Sequence, residues 1–233
     1  MATVLIDLDG TLIPLNAWRP VFAELCEEIA REAGVRPEDV WRRARQRNLE
    51  QMRALDWRAF DWQRIFTEVA RELGLSRAPD VGEALQRHLH AFTLNEGAAE
   101  ALARLREMGH RVEIATNGHA VYQLPVIRRL GLDRLVDGVR TSDMYQCPKT
   151  CPQYFENADA IVGDNPIFDV YFPRRFGLIT VFYGEWERSS AVHGQRMAID
   201  LTETVPHAVV KALREVPDAV ERLLPRRSTA RSL

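Results

Sequence analysis

The sequence predicts an α/β fold: a parallel sheet covered by helices on both faces and interrupted after its first strand by an all-helical insertion. Three observations carry this prediction. Val4-Leu5-Ile6 is a short apolar, β-branched run that ends in a turn; from about Trp18 to residue 93 apolar residues recur only at helical spacing; and beyond Asn95-Glu96-Gly97 helix and strand patterns alternate. Strands separated by helices pair in parallel, and their sheet is buried on both sides. With 233 residues, 46% of them hydrophobic, the chain can bury such a core as one domain carrying a large insertion.

Taken in order, Val4-Leu5-Ile6 reads as a central strand running into Asp7-Leu8-Asp9-Gly10-Thr11. Trp18, Val21, Phe22, Leu25, Cys26 and Ile29 then form one helical stripe, which Gly34 ends. Similar stripes at about 38–55, 58–74 and 80–92 complete a block with no strand. Leu102, Leu105 and Met108 mark the next helix, stopped by Gly109 and followed by the strand Val112–Thr116. A helix at about 120–130 ends at Gly131, and two further strands are expected at Ala160–Gly163 and Leu178–Phe182. Residues 185–197 read as a polar surface loop, and the Arg/Ser-rich segment from Pro225 as a frayed, flexible tail. The predicted organisation is a discontinuous core of residues 1–14 and 94–225, a helical unit of 15–93, and a tail of 226–233.

Composition narrows the function classes. A net charge of −2 gives no bias toward nucleic acid or a membrane surface. No apolar run is long enough to span a bilayer, and the N-terminus lacks a basic region followed by a long apolar one, so a soluble, unprocessed, cytoplasmic protein is expected. Cys26, Cys147 and Cys151 are an odd count, which reads as ordinary thiols in a reducing compartment. Cys147 and Cys151 lack the second Cys/His pair that zinc needs. Of 31 basic residues only Lys149 and Lys211 are lysines.

Asp7 and Asp9, two apart at the end of a strand, point to the same side and share the crevice in which open α/β sheets bind ligands. Two carboxylates there repel and are costly to desolvate, which makes a divalent cation their natural partner. Gly10 permits the sharp turn, and the Thr11 hydroxyl can donate to an anion. By chance, D-x-D-G-T arises on the order of once in several hundred chains of this length.

This motif resembles the first motif of the haloacid dehalogenase superfamily, and three more follow in the family's order. Ala115-Thr116-Asn117-Gly118 is similar to the second, Lys149 to the third, and Gly163-Asp164-Asn165-Pro166-Ile167-Phe168-Asp169 to the fourth. Two features depart from the pattern: Pro148-Lys149-Thr150-Cys151-Pro152 stands where K-P-x-P is usual, and only 15 positions separate Lys149 from Asp164. The resemblance implies a three-layer Rossmann-like core with an inserted α-helical cap. It also implies Mg²⁺-dependent hydrolysis of a small phosphorylated metabolite, a phosphomonoester of the sugar phosphate, phosphoglycolate or nucleotide type; a monomer or homodimer is expected. Asp7 would be the nucleophile and Asp9 the general acid/base, with Lys149, Thr116, Asn117 and Thr11 on the phosphate. Magnesium would be held by Asp7, the Asp9 carbonyl and Asp164, while Asp169 and Asn165 would act through water.

Alternatives within the family are a sugar-phosphate mutase and a haloacid dehalogenase; a catalytically idle binding module is the alternative outside enzymes. Asp9 argues against dehalogenation, which has no leaving oxygen to protonate. Phosphonate cleavage needs a cap lysine, and residues 1–148 contain none. In the cap, Arg42, Arg43, Arg45, Arg47 and Arg53 read as a solvated face, and Trp41, Trp57 and Trp62 as packing between helices. The sharper reading puts one arginine and one tryptophan on an anionic or planar substrate. His119, Asn16 and Arg19 could reach the site or be ordinary loop residues.

Overall fold

The computed structural model describes residues 1–224, so the tail expected at 226–233 lies outside the described residues. Its strands are β1 (Thr3–Ile6), β2 (Arg111–Thr116), β3 (Gly138–Thr141), β4 (Ala160–Gly163), β5 (Ile179–Tyr183) and β6 (Ala208–Val210). They form one sheet in the order β3-β2-β1-β4-β5-β6, with every pair parallel. The chain builds outward from β1 on one side, then crosses back to add β4 on the other. That reversal is the topological switch point, where the crevice beyond the strand ends opens.

The register sorts the core by alternation. Val4 lies beside Val112 and Ala160, and Ile6 beside Ile114 and Val162, so these residues share one face. On that face pack Leu102 and Leu105 of α5 (Ala98–Glu107) and Val126 and Ile127 of α6 (Ala120–Arg129). Leu5, Ala115 and Ile161 point the other way, against Tyr154 and Phe155.

Between β1 and α5 the chain forms only helices: α1 (Arg19–Ala33), α2 (Pro37–Arg53), α3 (Trp62–Glu72) and α4 (Val81–His88), with short 3₁₀ turns. The ends have local causes. Gly34, at φ +67°, closes α1 in the left-handed region. Asp61 and Asp80 accept from the main-chain N–H of Arg64 and Glu83, capping α3 and α4.

Two differences from the sequence expectation stand out. Residues Trp186–Met197 form a helix, α9, rather than a polar loop; α7 (Ser142–Tyr145) and α8 (Phe172–Arg175) are single turns that precede it. Its apolar contacts are sparse, Trp186 against Phe182 and Met197 against Phe168, so no continuous stripe marks it. Strands β3 and β6 were not expected; β3 carries the buried Arg140, which interrupts its apolar pattern, and β6 has three residues at the sheet edge. The short stretch from Lys149 to Asp164 is crossed by one 3₁₀ turn, Pro152–Phe155, in place of a full crossover helix.

Candidate active site

The site assembles at the ends of β1, β2 and β4. Asp7 follows β1, and its main-chain N–H continues the ladder to the Val162 carbonyl, which fixes the carboxylate at the switch point. Asp164 follows β4, and Gly10 makes the close approach possible. At φ +99° Gly10 lies in the left-handed region, and a Cβ there would collide with the Asp164 carboxylate.

Carboxylate oxygens of Asp7, Asp164 and Asp169 all lie within 4.8 Å of one another. Lys149, 1% exposed, sits among them, with Nζ 2.6 Å from Asp7 Oδ1, 2.6 Å from Asp169 Oδ1 and 3.2 Å from the Ala115 carbonyl. All three ammonium protons therefore have acceptors. Burial alone would lower the Lys149 pKa, but Asp169 and Asp7 outweigh it and raise it, so the side chain stays charged. The ammonium does not balance three acids. Burial raises the Asp164 carboxyl well above the usual range, with Asp7 and Asp169 adding to it, and burial raises Asp169 likewise. Such a surplus of mutually repelling oxygen ligands fits a hard divalent cation.

Asp9 is held differently. Trp18 Nε1 donates to its Oδ1 at 2.5 Å, while Gln123 Nε2 at 2.8 Å and Thr116 Oγ1 at 3.3 Å donate to Oδ2. Burial first, and the Asp7 charge second, lift its pKa to about 6 against those three hydrogen bonds. A carboxyl so placed exchanges a proton near neutral pH.

Not every expected residue takes its expected place. The Thr11 hydroxyl, expected on the phosphate, is fully buried and donates to Asp7 Oδ2 at 3.1 Å, so it orients the carboxylate from behind. Thr116 and Asn117 line the cavity, and Asn117 Oδ1 accepts from the Lys149 main-chain N–H at 2.7 Å. Asn165 Oδ1 accepts from Ile167 and Phe168, capping the π-helical turn Pro166–Tyr171, while its N–H donates to Asp169. Asn16 and Arg19 line the cavity; His119 does not, and packs on Trp57 instead.

Sequence reasoning missed Trp18 and Gln123. Gln123 follows the second motif by one helical turn, and Gly118 leaves the space its amide occupies, which was the available signal. The thiol expectation is also corrected, since Cys147 and Cys151 form a disulfide across the Lys149 turn with Cα atoms 6.5 Å apart. A turn over five residues brings their Cα atoms into bridging range, which spacing alone did not reveal. Cys26 is free and buried, its pKa pushed up to about 12 by burial.

A cavity of about 880 Å³ opens above these groups, walled on the cap side by Trp18, Phe22, Trp41 and Trp62. No described helix is long and apolar enough to cross a membrane.

Residues 1–166 match the family model described as haloacid dehalogenase-like hydrolase. The chain is 36% identical over 97 residues to a glyceraldehyde 3-phosphate phosphatase of Pyrococcus abyssi, covering 37% of this chain and 41% of that protein. It is 28% identical over 243 aligned residues to a ribulose-1,5-bisphosphate 5-phosphatase of Halopiger xanaduensis, covering 94% of this chain and 100% of that one. A HAD phosphatase from Thermococcus onnurineus superimposes with a TM-score of 0.71 at 21% identity, over 94% of this chain and 98% of that chain. An L-2-haloacid dehalogenase from Xanthobacter autotrophicus gives 0.62 at 21% identity, over 96% and 100%. At that identity the two structures report the fold.

Proposed function

The chain belongs to the haloacid dehalogenase-like hydrolases, and from that premise we propose that it is a magnesium-dependent phosphatase acting on a small sugar-phosphate-type ester. The observation that carries this reading is Asp9: a carboxyl with a pKa of about 6, held by three donors beside Asp7. Ester cleavage needs a group that protonates a leaving oxygen, whereas dehalogenation and passive binding do not. The names of the Pyrococcus and Halopiger relatives support a phosphorylated sugar or sugar-like substrate.

In the proposed reaction the Asp7 carboxylate attacks phosphorus in line, the bond to the leaving oxygen breaks, and Asp9 supplies the proton that oxygen takes. An aspartyl phosphate on Asp7 results. Asp9, now ionised, takes a proton from the water that attacks the acyl phosphate, which releases inorganic phosphate and restores both groups. The Lys149 charge offsets that of the phosphoryl oxygens, the Thr116 hydroxyl turns from Asp9 to donate to one of them, and Thr11 and Lys149 fix the Asp7 rotamer. Magnesium would be held by Asp7, Asp164 and the Asp9 carbonyl, with Asp169 reaching it through water. When bound it supplies positive charge against the developing phosphoryl charge. We take residues 15–93 as a cap domain that excludes water over a core of 1–14 and 94–225.

The test is release of inorganic phosphate from a panel of phosphomonoesters with and without magnesium. Magnesium-dependent turnover, abolished by a chelator, is expected. No turnover on any ester would favour a binding module, and isomer formation without net release would favour a mutase.

A further inference from the structure

The structure sorts the five cap arginines of α2. Arg42 pairs with Asp39, Arg43 with Glu72, and Arg47 with Glu68 and Glu72, while Arg53 donates to the main-chain carbonyl of Arg196. Arg45 differs. It is partly buried, lines the same cavity as Asp7 and Lys149, and has no carboxylate within ion-pair distance among the described residues. Its only hydrogen bond among those residues is from Nη1 to Asn48 Oδ1 at 2.6 Å, and its guanidinium lies 5.8 Å from the centre of the Trp41 ring. Asn48 is itself fixed, being 1% exposed and donating to the Ala59 carbonyl, so Arg45 is held in place.

His193 and Arg196 of α9, a helix packed against α2, line the same cavity as Arg45, and Arg196 also lacks a carboxylate partner among the described residues. Burial, and then repulsion from Arg196, lower the Arg45 pKa; burial and Arg196 likewise pull His193 down to about 4. Glu27 of α1 and Glu38 in the first turn of α2 line the cavity too, but neither lies within ion-pair distance of Arg45 or Arg196. Two guanidiniums that line one cavity without an ion-pair partner lack the counter-charge a bound anion would supply.

We propose that Arg45 and Arg196 form a second anion subsite, so that the substrate is a phosphate ester carrying another anionic group, phosphate or carboxylate. The proposal rests on the phosphatase reading and deepens it. A cavity of about 880 Å³ is far larger than one phosphoryl group needs, so it has room for a molecule that carries a second anionic group. Trp41 and Trp62, stacked 6.0 Å apart, form the wall along which its body lies.

The test compares kcat/KM within two pairs of esters: a hexose monophosphate against the corresponding bisphosphate, and glycerol phosphate against phosphoglycerate. The wild-type enzyme should favour the doubly anionic member of at least one pair by about tenfold or more. Which pair shows the preference tells whether the second group is phosphate or carboxylate. Arg45→Gln and Arg196→Gln should each reduce that ratio about tenfold, mainly through KM, while Arg45→Lys keeps a charge and most of the ratio. Arg196 is exposed, so its variant reads the subsite even if Arg45→Gln misfolds. A wild-type ratio near one for both pairs, or a preference that survives both Gln variants, would overturn the subsite alone. No turnover of any of the four esters would overturn the phosphatase reading and this inference with it.

Discussion

Asp7 and Asp9 stand two positions apart on one chain, yet they meet different neighbours, and the difference assigns their roles. Asp7 accepts from Lys149 and Thr11, donors that hold its carboxylate aimed into the site. Asp9 is lifted to about 6, so a useful fraction is protonated near neutral pH. Asp9→Asn keeps the shape but removes the transferable proton. We expect kcat to fall by about 10²–10⁴-fold with an alkyl phosphate, in line with the loss of a general acid. With p-nitrophenyl phosphate, whose leaving group needs no proton, formation of the phosphoenzyme should be much less affected. Equal losses in that step for both esters, measured by rapid quench, would count against the acid role.

Among the elements, β2 and β3 show how the sheet supports the site from behind. Glu113 of β2 and Arg140 of β3 are both buried and joined at 2.6 Å, and Arg140 Nη1 also donates to the Tyr154 and Glu156 carbonyls. The Tyr154 hydroxyl lies 2.9 Å from the Thr116 carbonyl, linking this network to the second motif. Arg140→Met would leave Glu113 with only the exposed Arg111 and free two carbonyls. The expected cost is about 3 kcal/mol of stability, measured by denaturant unfolding, since one half of a buried pair is left behind. A change near zero would show that the network is dispensable. The same residues explain what the sequence could reveal. Strands β1, β2, β4 and β5 were legible because buried parallel strands read as apolar runs; motifs at the ends of β1, β2 and β4 located Asp7, Thr116 and Asp164, and a fourth, in the turn after α7, located Lys149. Strand β3 was hidden because Arg140 breaks its run, and α9 because its few apolar contacts are widely spaced. Trp18 was illegible as a site residue, Gln123 left only the faint signal of Gly118, and Arg45 could be named only as one of five cap arginines, since such roles depend on how the cap meets the core.

For the molecule as a whole, the surplus of acid at the switch point links stability, pH and metal. Asp9 and Asp169, raised from 3.8 to about 6 and about 7, bind protons in the folded state that the unfolded chain has already released. Without metal they therefore stabilise the fold below about pH 4, and that contribution is lost as pH rises toward 7. Asp39 and Asp56, held low by arginines, act with the opposite sign, so absolute Tm mixes the two effects. The magnesium-induced rise in Tm is the cleaner quantity. Because protons compete with the ion, that rise should be several degrees at about pH 8 and small at about pH 5. A rise independent of pH would mean that the acidic cluster does not hold the ion.

The central claim is that Asp7 carries the phosphoryl group. Its most direct test is to quench the magnesium-loaded enzyme in acid during turnover of a labelled phosphate ester and map the label by peptide mass spectrometry. The account predicts a phosphoryl group on Asp7, absent in Asp7→Asn, which should also lose turnover by about a thousandfold or more. A label on another residue, or an Asp7→Asn variant that keeps most of its activity, would contradict it.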